Sequence, residues 1–273
     1  MHTVFDLTLW GFFWLMIFTT QTTIMGVTIY LHRTMAHRAL ELHPIVSHFF
    51  RFWLWLTTGM NTKEWVAIHR KHHAKVEGVE DPHSPVQKGL LNILFFGVKY
   101  YRDEARNRET VEKYGSGSPT DWVERTVYTP NPLLGIILLL TVYVVLFGGV
   151  GVLLWLINIL WIPIHAAGII NGVGHWASST FAGMKILYQN WQDGDPVPIE
   201  FGGREGETFR NVRRSANILP IAFWIGGEEL HGNHHAFPTS PKFSRKWYEF
   251  DIGWAVIRFL LFIRAARLKS NFR

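Results

Sequence analysis

Residues 7–37 read LTLWGFFWLMIFTTQTTIMGVTIYLHRTMAH, an apolar run that ends in two histidines. No charged residue occurs from Leu7 to Leu31, and at about 1.5 Å per residue that stretch is long enough to cross a hydrocarbon core of about 30 Å. It predicts a membrane span. A cleaved leader is disfavoured, because no basic segment precedes the run and it is too long for a leader's apolar region. Working outward, Thr126 to Met184 also lacks Lys, Arg, Asp and Glu, with its most apolar part from Leu133 to Ile170. The Gly148-Gly149-Val150-Gly151 break splits it into a hairpin of two helices, 132–149 and 151–172. All Lys and Arg fall in two blocks, 33–125 and 185–273, which the positive-inside rule places in the cytoplasm. The expected architecture is an all-α integral membrane protein, a single domain of residues 1–273. Its spans are 7–31, 132–149 and 151–172, and its helical cytoplasmic cap comprises 32–125 and 173–273. Pro44 to Met60, interrupted by His48 and Arg51, is expected to lie at the interface, as is Trp254 to Leu268.

Composition supports this reading. Of 273 residues, 48% are hydrophobic and only 18% charged, against about 25% in soluble domains. Thirteen Trp and 20 Phe exclude a disordered chain. The absence of Cys excludes a disulfide scaffold, a cysteine-ligated metal site and a thiol nucleophile. Any metal must then be held by His, Asp, Glu, Asn or water.

Nine of the 14 His fall in four patterns. They are His32-Arg33-Thr34-Met35-Ala36-His37, His69-Arg70-Lys71-His72-His73, His231-Gly232-Asn233-His234-His235, and Asn171-Gly172-Val173-Gly174-His175. Positions i, i+3 and i+4 of an α-helix share one face, so each HxxHH box is expected to aim three imidazoles at one point. The five-residue step from His32 to His37 turns about 140° on an ideal helix. The two rings therefore meet only if the helix unwinds between them; otherwise they serve different metals, the natural outcome for two. Asn171 and His175 share a face. Many neutral nitrogen donors and no thiolate suit a redox-active iron pair or zinc, and not calcium or magnesium. His2, His43, His48 and His165 stand alone and are expected to be surface or hydrogen-bonded residues.

These boxes, with Glu64-Trp65 before the second, Asp81-Pro82-His83 after it and HGNHHAFP over 231–238, resemble the membrane fatty acyl desaturases, the Δ9 acyl desaturases in particular. The resemblance implies ligation by His32, His37, His69, His72, His73, His175, His231, His234 and His235, with Asn171 acting through a bound water. It implies two Fe ions, replaceable by zinc on purification, with O2 as co-substrate. There are departures. One span precedes the first box where the animal enzymes have two, and Ala67-Ile68 stand where animal acyl-CoA enzymes carry Arg-Asp. Long-chain acyl-CoA and phospholipid therefore both remain open as carriers. Ser178 to Arg214 matches no element of the family. His43-Pro44 lacks the Gly-Gly of a cytochrome b5 heme motif.

The activity implied is removal of two hydrogens from adjacent methylenes, the double bond falling at Δ9. A related di-iron hydroxylase, decarboxylase or ketolase is the alternative, and a membrane metal transporter a distant one. Trp65, His83, Lys99 and Arg102 are candidate substrate contacts; Arg106 and Arg108 are further candidates for an anionic head group. Trp, Phe and Leu of residues 49–56 are candidates for lining an acyl tunnel. Electrons are expected from a ferredoxin-, rubredoxin- or cytochrome b5-like donor with its reductase. The net charge of +6 suits such an acidic partner or anionic lipid, and no nucleic acid is expected. The expected location is a bacterial inner membrane, with the site facing the cytoplasm.

Overall fold

Thr8 caps the first helix, its hydroxyl accepting from the Gly11 N–H at 3.1 Å. In the computed structural model, which describes residues 4–176, 187–201, 203–210 and 214–269, that helix, α1, runs from Leu9 to Ala36. Residues 178–186, 202 and 211–213 of the Ser178–Arg214 segment that matched nothing lie outside the described residues, as do residue 177 and His2. α1 is α-helical to Met25 and winds as a π-helix over Gly26–Ala36.

His43 caps α2 (Pro44–Thr58), which has proline at its first position and Gly59 in the left-handed region after its end. α2 folds back along α1: Leu54 lies against Gly26, Trp53 Nε1 donates to Thr23 Oγ1 at 2.9 Å, and Thr23 bonds Thr57 at 3.2 Å. Ile45, Phe49 and Phe52 face outward, as expected of an interfacial helix. Phe50, Leu54, Trp55 and Leu56 are buried in packing contacts. Asn61 caps α3 (Thr62–Lys75), and α4 (Pro85–Lys88), α5 (Leu90–Ala105) and α6 (Arg108–Tyr114) follow. α7 (Pro132–Phe147) and α8 (Gly149–Val173, its last part Pro163–Val173 π-wound) form the expected hairpin. Gly148 makes the turn at φ +61°, where a side chain would be strained. A Cβ on Gly135 of α7 would stand 2.4 Å from the Trp55 carbonyl oxygen, so only glycine lets α2 pack this closely.

Among the described residues two helices, α1 and α8, are long and apolar enough to cross a membrane. α7 is equally apolar, but its 16 residues reach about 24 Å. The last third of the chain adds α9 (His231–Ala236) and α10 (Ile252–Phe262). The cap is not wholly helical. β1 (Leu40–Leu42) pairs antiparallel with β4 (Ala266–Leu268), and β2 (Ile221–Ala222) pairs parallel with β3 (Phe250–Asp251). The first ladder pairs the stretch after the first box with the end of the described chain, and the second joins the two sides of the third box. The main core wraps the π-wound part of α1, with Val27, Ile29, Tyr30 and Leu31 packed among Phe50, Leu54, Ile257 and Leu260.

Arg51, the charge that interrupts α2, is buried and forms a fork to Asp121 (2.6 and 3.1 Å) and a 2.8 Å bond to buried Glu124. Arg51→Met leaves Glu124 without its cation and is expected to cost about 3 kcal/mol. Thermal unfolding of the purified protein checks this, and an unchanged midpoint would remove Arg51 from the account of stability.

Candidate metal centre

The π-winding of α1 realises the first of the two alternatives left by the five-residue step, a helix that unwinds so that His32 and His37 meet. The His37 N–H donates to the His32 carbonyl at 3.0 Å, an i→i+5 bond that brings residues five apart onto one face. Both rings enter one cluster with His69, His73 and His234. His72, His175, His231 and His235 form a second cluster. All nine boxed histidines are thus gathered, five and four, with the ligand atoms of each cluster within 4.8 Å of one another.

Each HxxHH box is divided, which corrects the expectation of three rings aimed at one point. From α3 the i,i+4 pair His69 and His73 joins the first cluster, while His72 turns to the second. From α9 the pair His231 and His235 joins the second, while His234 turns to the first. The Nε2 atoms converge. In the first cluster His32 and His234 approach to 2.9 Å, His37 and His69 to 2.8 Å, and His73 and His234 to 3.0 Å. In the second, His175 lies 3.1 Å from His72 and 2.7 Å from His231, and His231 lies 3.1 Å from His235. Neutral imidazoles cannot all satisfy one another by hydrogen bonding at such a focus, since each offers one donor at most. Lone pairs aimed at a common point suit a cation.

Outward-facing Nδ1 atoms have their own partners. His32 Nδ1 donates to Glu228 at 2.8 Å, and Glu228 also accepts from Thr28 at 2.5 Å. His72 Nδ1 lies 3.0 Å from both oxygens of Asp81. His175 Nδ1 donates to the Arg214 carbonyl at 2.9 Å, with Glu77 Oε1 at 3.0 Å. Such partners keep the proton on Nδ1 and leave the Nε2 lone pair for a metal. Burial disfavours charge on Glu228, but His32, Arg33 and Thr28 outweigh it and hold the carboxyl below its usual range. Burial, then neighbouring imidazoles, pushes His37, His69, His73, His231, His234 and His235 well below the ordinary histidine value. Those six stay neutral near pH 7, the form that ligates.

Asn233, inside the third box, is held by every polar atom of its amide. Its Nδ2 donates to the Phe243 carbonyl (3.0 Å) and Glu249 (2.8 Å), and its Oδ1 accepts from Asn190 (2.8 Å) and Asn217 (3.1 Å). This fixes the rotation of a helix only six residues long. Arg33 of the first box is buried, paired with Asp251 at 3.0 Å, and sits 3.8 Å above the Phe243 ring, which lies 4.7 Å from His234.

The other expected residues fall as follows. Trp65 stacks on His69 at 4.8 Å and walls the first cluster. His83 is buried beside His72 and Asp81, its Nε2 has no hydrogen-bond partner among the described residues, and burial followed by His72 pushes it down to about 3. Lys99 and Arg102 remain on the exposed face of α5, Lys99 paired with Asp103 at 2.7 Å. Arg106 and Arg108 are exposed too. Asn171 is half-buried, four residues before His175. His43 is a helix cap, His48 is exposed, and His165 donates to the Trp161 carbonyl, all as expected.

Sequence reading missed Glu77, Glu228, Asn233 and Glu249. A signal existed for Glu228, a carboxylate three residues before a box in the apolar run Trp224-Ile225-Gly226-Gly227. Glu228→Ala is expected to lower metal affinity by 10–100-fold, read as metal retained against a chelator, with Glu228→Gln intermediate. Unchanged retention would reduce Glu228 to a packing role.

Residues 8–260 match the sequence model of the family described as Fatty acid desaturase. Among similar proteins is the Delta-9 acyl-lipid desaturase 1 of Arabidopsis thaliana, 27% identical over 89% of this chain and 70% of its own. Another is the Acyl-CoA 5-desaturase AL21 of Anemone leveillei, 27% identical over 94% of this chain and 71% of its own. The palmitoyl-monogalactosyldiacylglycerol delta-7 desaturase of Arabidopsis thaliana is 27% identical over 88% of this chain and 56% of its own. With the match spanning nearly the whole chain, its apolar helices and its two histidine clusters, the chain belongs to the fatty acid desaturase family of membrane-bound oxidoreductases.

Proposed function

We propose that this single-domain chain introduces a cis double bond, at Δ9, into a long-chain acyl group by means of two irons. The observation that carries the reading is the convergence of nine Nε2 atoms into a five and a four. The first iron is assigned to His32, His37, His69, His73 and His234, and the second to His72, His175, His231 and His235, with Asn171 holding a water beside it. Bound irons and O2 supply the oxidising power that no side chain has toward an unactivated C–H bond.

The chain's own residues do the rest. Glu228 and Asp81 retain protons on the outer nitrogens of His32 and His72, so those rings present lone pairs inward. Trp65 and Phe243 pack against the first cluster and exclude water from it. The overall balance is one –CH2–CH2– unit, O2, two electrons and two protons giving –CH=CH– and two waters. Two electrons therefore come from a separate donor of the ferredoxin, rubredoxin or cytochrome b5 kind.

Two observations favour an acyl chain carried on phospholipid over one on coenzyme A. Ala67 and Ile68 are buried apolar side chains and cannot grip a polar carrier. The cavity of about 350 Å³ beside Asp81 is lined by Lys71 and Lys88 but also by Glu80, Asp103 and Glu104, a poor match for several phosphates. The charge distribution supports a site on the cytoplasmic face of the membrane, which we take to be a bacterial inner membrane.

The test is the fatty acid profile of aerobic bacteria expressing the protein beside its His72→Ala variant, with phospholipid and thioester pools analysed separately. The expected result is a new double bond dependent on O2 and His72 that appears first in phospholipid. First appearance in the thioester pool would transfer the carrier to coenzyme A. A hydroxylated or shortened product would keep the site and replace the reaction.

A further inference from the structure

Trp247 is the most exposed large apolar side chain among the described residues, at 95%. It stands on a firmly held turn. Buried Glu249 accepts from the backbone N–H groups of Arg245 (2.6 Å) and Lys246 (3.0 Å), and from Tyr188 Oη (3.0 Å). The same carboxylate accepts from Asn233 at 2.8 Å, so one side chain clamps this turn to the asparagine between His231 and His234. A second link is parallel to it. Tyr248 Oη donates to Asn190 Oδ1 at 3.4 Å, and Asn190 Nδ2 donates to Asn233 Oδ1 at 2.8 Å. An exposed aromatic pair, with ring centroids 5.7 Å apart, is thereby joined through three side chains to the third histidine box.

Within residues 242–250 the exposed charge has one sign, with Lys246 lying 4.8 Å over the Trp191 ring. Lys242 and Lys246 are exposed, Arg245 lies over Phe237, and Glu249, the one acid among residues 242–250, points inward. The residue that follows this segment, Asp251, is tied to the cluster end of α1 and not to its middle. The carbonyl of Trp224 accepts from Gln21 of α1, whereas Asp251, four residues after Trp247, bonds Arg33, twelve residues further along α1 toward the clusters.

We propose that the 242–248 turn is the docking site for an acidic one-electron carrier protein, with Trp247 as the central contact and Lys242 and Lys246 as its charged rim. An aromatic centre with a polar, cationic rim is the make-up of a transient protein interface, and the cations steer an acidic partner. The assignment rests on the desaturase reading, which needs two electrons from outside. Each carrier is oxidised by one electron; two in succession, with two protons, complete the reduction of O2 to two waters as the acyl chain loses two hydrogens.

The test uses iron-loaded protein in lipid nanodiscs with reduced [2Fe–2S] ferredoxin, rubredoxin and soluble cytochrome b5, followed with whichever sustains turnover. Trp247→Ala is expected to lower kcat/KM for the carrier, and weaken its binding, by about 30-fold. Lys246→Glu is expected to act strongly at low salt and weakly at high salt. Iron content, KM for the acyl substrate and turnover driven by dithionite stay unchanged in both variants. Carrier affinity unchanged in both variants overturns the proposal. So does a changed acyl-lipid KM alone, which would make the turn a lipid contact, and so does dithionite turnover that none of the three carriers can replace. If dithionite drives no double bond in the unaltered protein, the desaturase reading falls and the docking site with it.

Discussion

His69→Ala is expected to leave the protein in the membrane with about one metal per chain instead of two and to cost it more than the 10–100-fold typical of changes outside the ligand set. The reason lies in the division of the boxes. His69 contributes to the five-histidine cluster, whose Nε2 atoms approach to 2.8–3.0 Å, and it has no contact of this kind with the four-histidine cluster. His231→Ala is expected to give the complementary result, because the four-histidine cluster has only three rings left and the His231 Nε2 approaches those of both His175 and His235. His72→Ala and His235→Ala belong with His231→Ala, although His72 adjoins His73 in sequence. Elemental analysis of the purified variants, with exposed His48→Gln as control, checks the assignment. Two metals retained in every variant would sink the ligand set. A change in His72→Ala that matched His73→Ala would sink the division into two centres.

The metal-free protein is expected to lose stability steeply as pH falls from about 6.5 to 5.5, while the loaded protein resists. Six imidazoles, those of His37, His69, His73, His231, His234 and His235, are held well below the ordinary histidine value, first by burial and then by one another. A histidine depressed in the fold is neutral there and binds its proton only on unfolding. Its contribution is intact above the unfolded value of about 6.5 and is lost as pH drops below it. One unit below, each such group costs about 1.4 kcal/mol, so several together approach the whole stability of an ordinary domain, about 5–15 kcal/mol. Bound metal opposes this, since protons and metal compete for the same lone pairs. Thermal melts of chelator-treated and loaded protein at pH 7.5, 6.5 and 5.5 test the point. A metal-free midpoint that does not move across that range would show the imidazoles to be exposed to water.

Much of the architecture was legible because it depends on local composition. An uncharged stretch from Leu7 to Leu31 has to avoid water wherever it goes, and Gly148 is the residue best able to reverse a hairpin with its backbone at positive φ. The histidine boxes were legible for a similar reason, since i, i+3 and i+4 spacing is a property of the helix alone. The division of each box was not. His72 and His73 are neighbours, and which cluster each one meets depends on where α1, α8 and α9 lie around α3. Sequence spacing left His32 and His37 with two alternatives, and the change from α to π winding at Gly26 chose the one in which both rings meet, a switch that α geometry alone does not reveal.

What the sequence determined by itself was the membrane location, the apolar helices, the nine boxed histidines and membership of the family, which follow from composition, short-range periodicity and the box motifs. What only the tertiary structure decided was which rings share a centre and which carboxylates hold them. Glu228 meets His32 across 196 residues and Asn190 meets Asn233 across 43. Partnerships of that range are set by packing in three dimensions, where burial makes an unpaired carboxylate or imidazole costly, and the chain settles where each finds its partner.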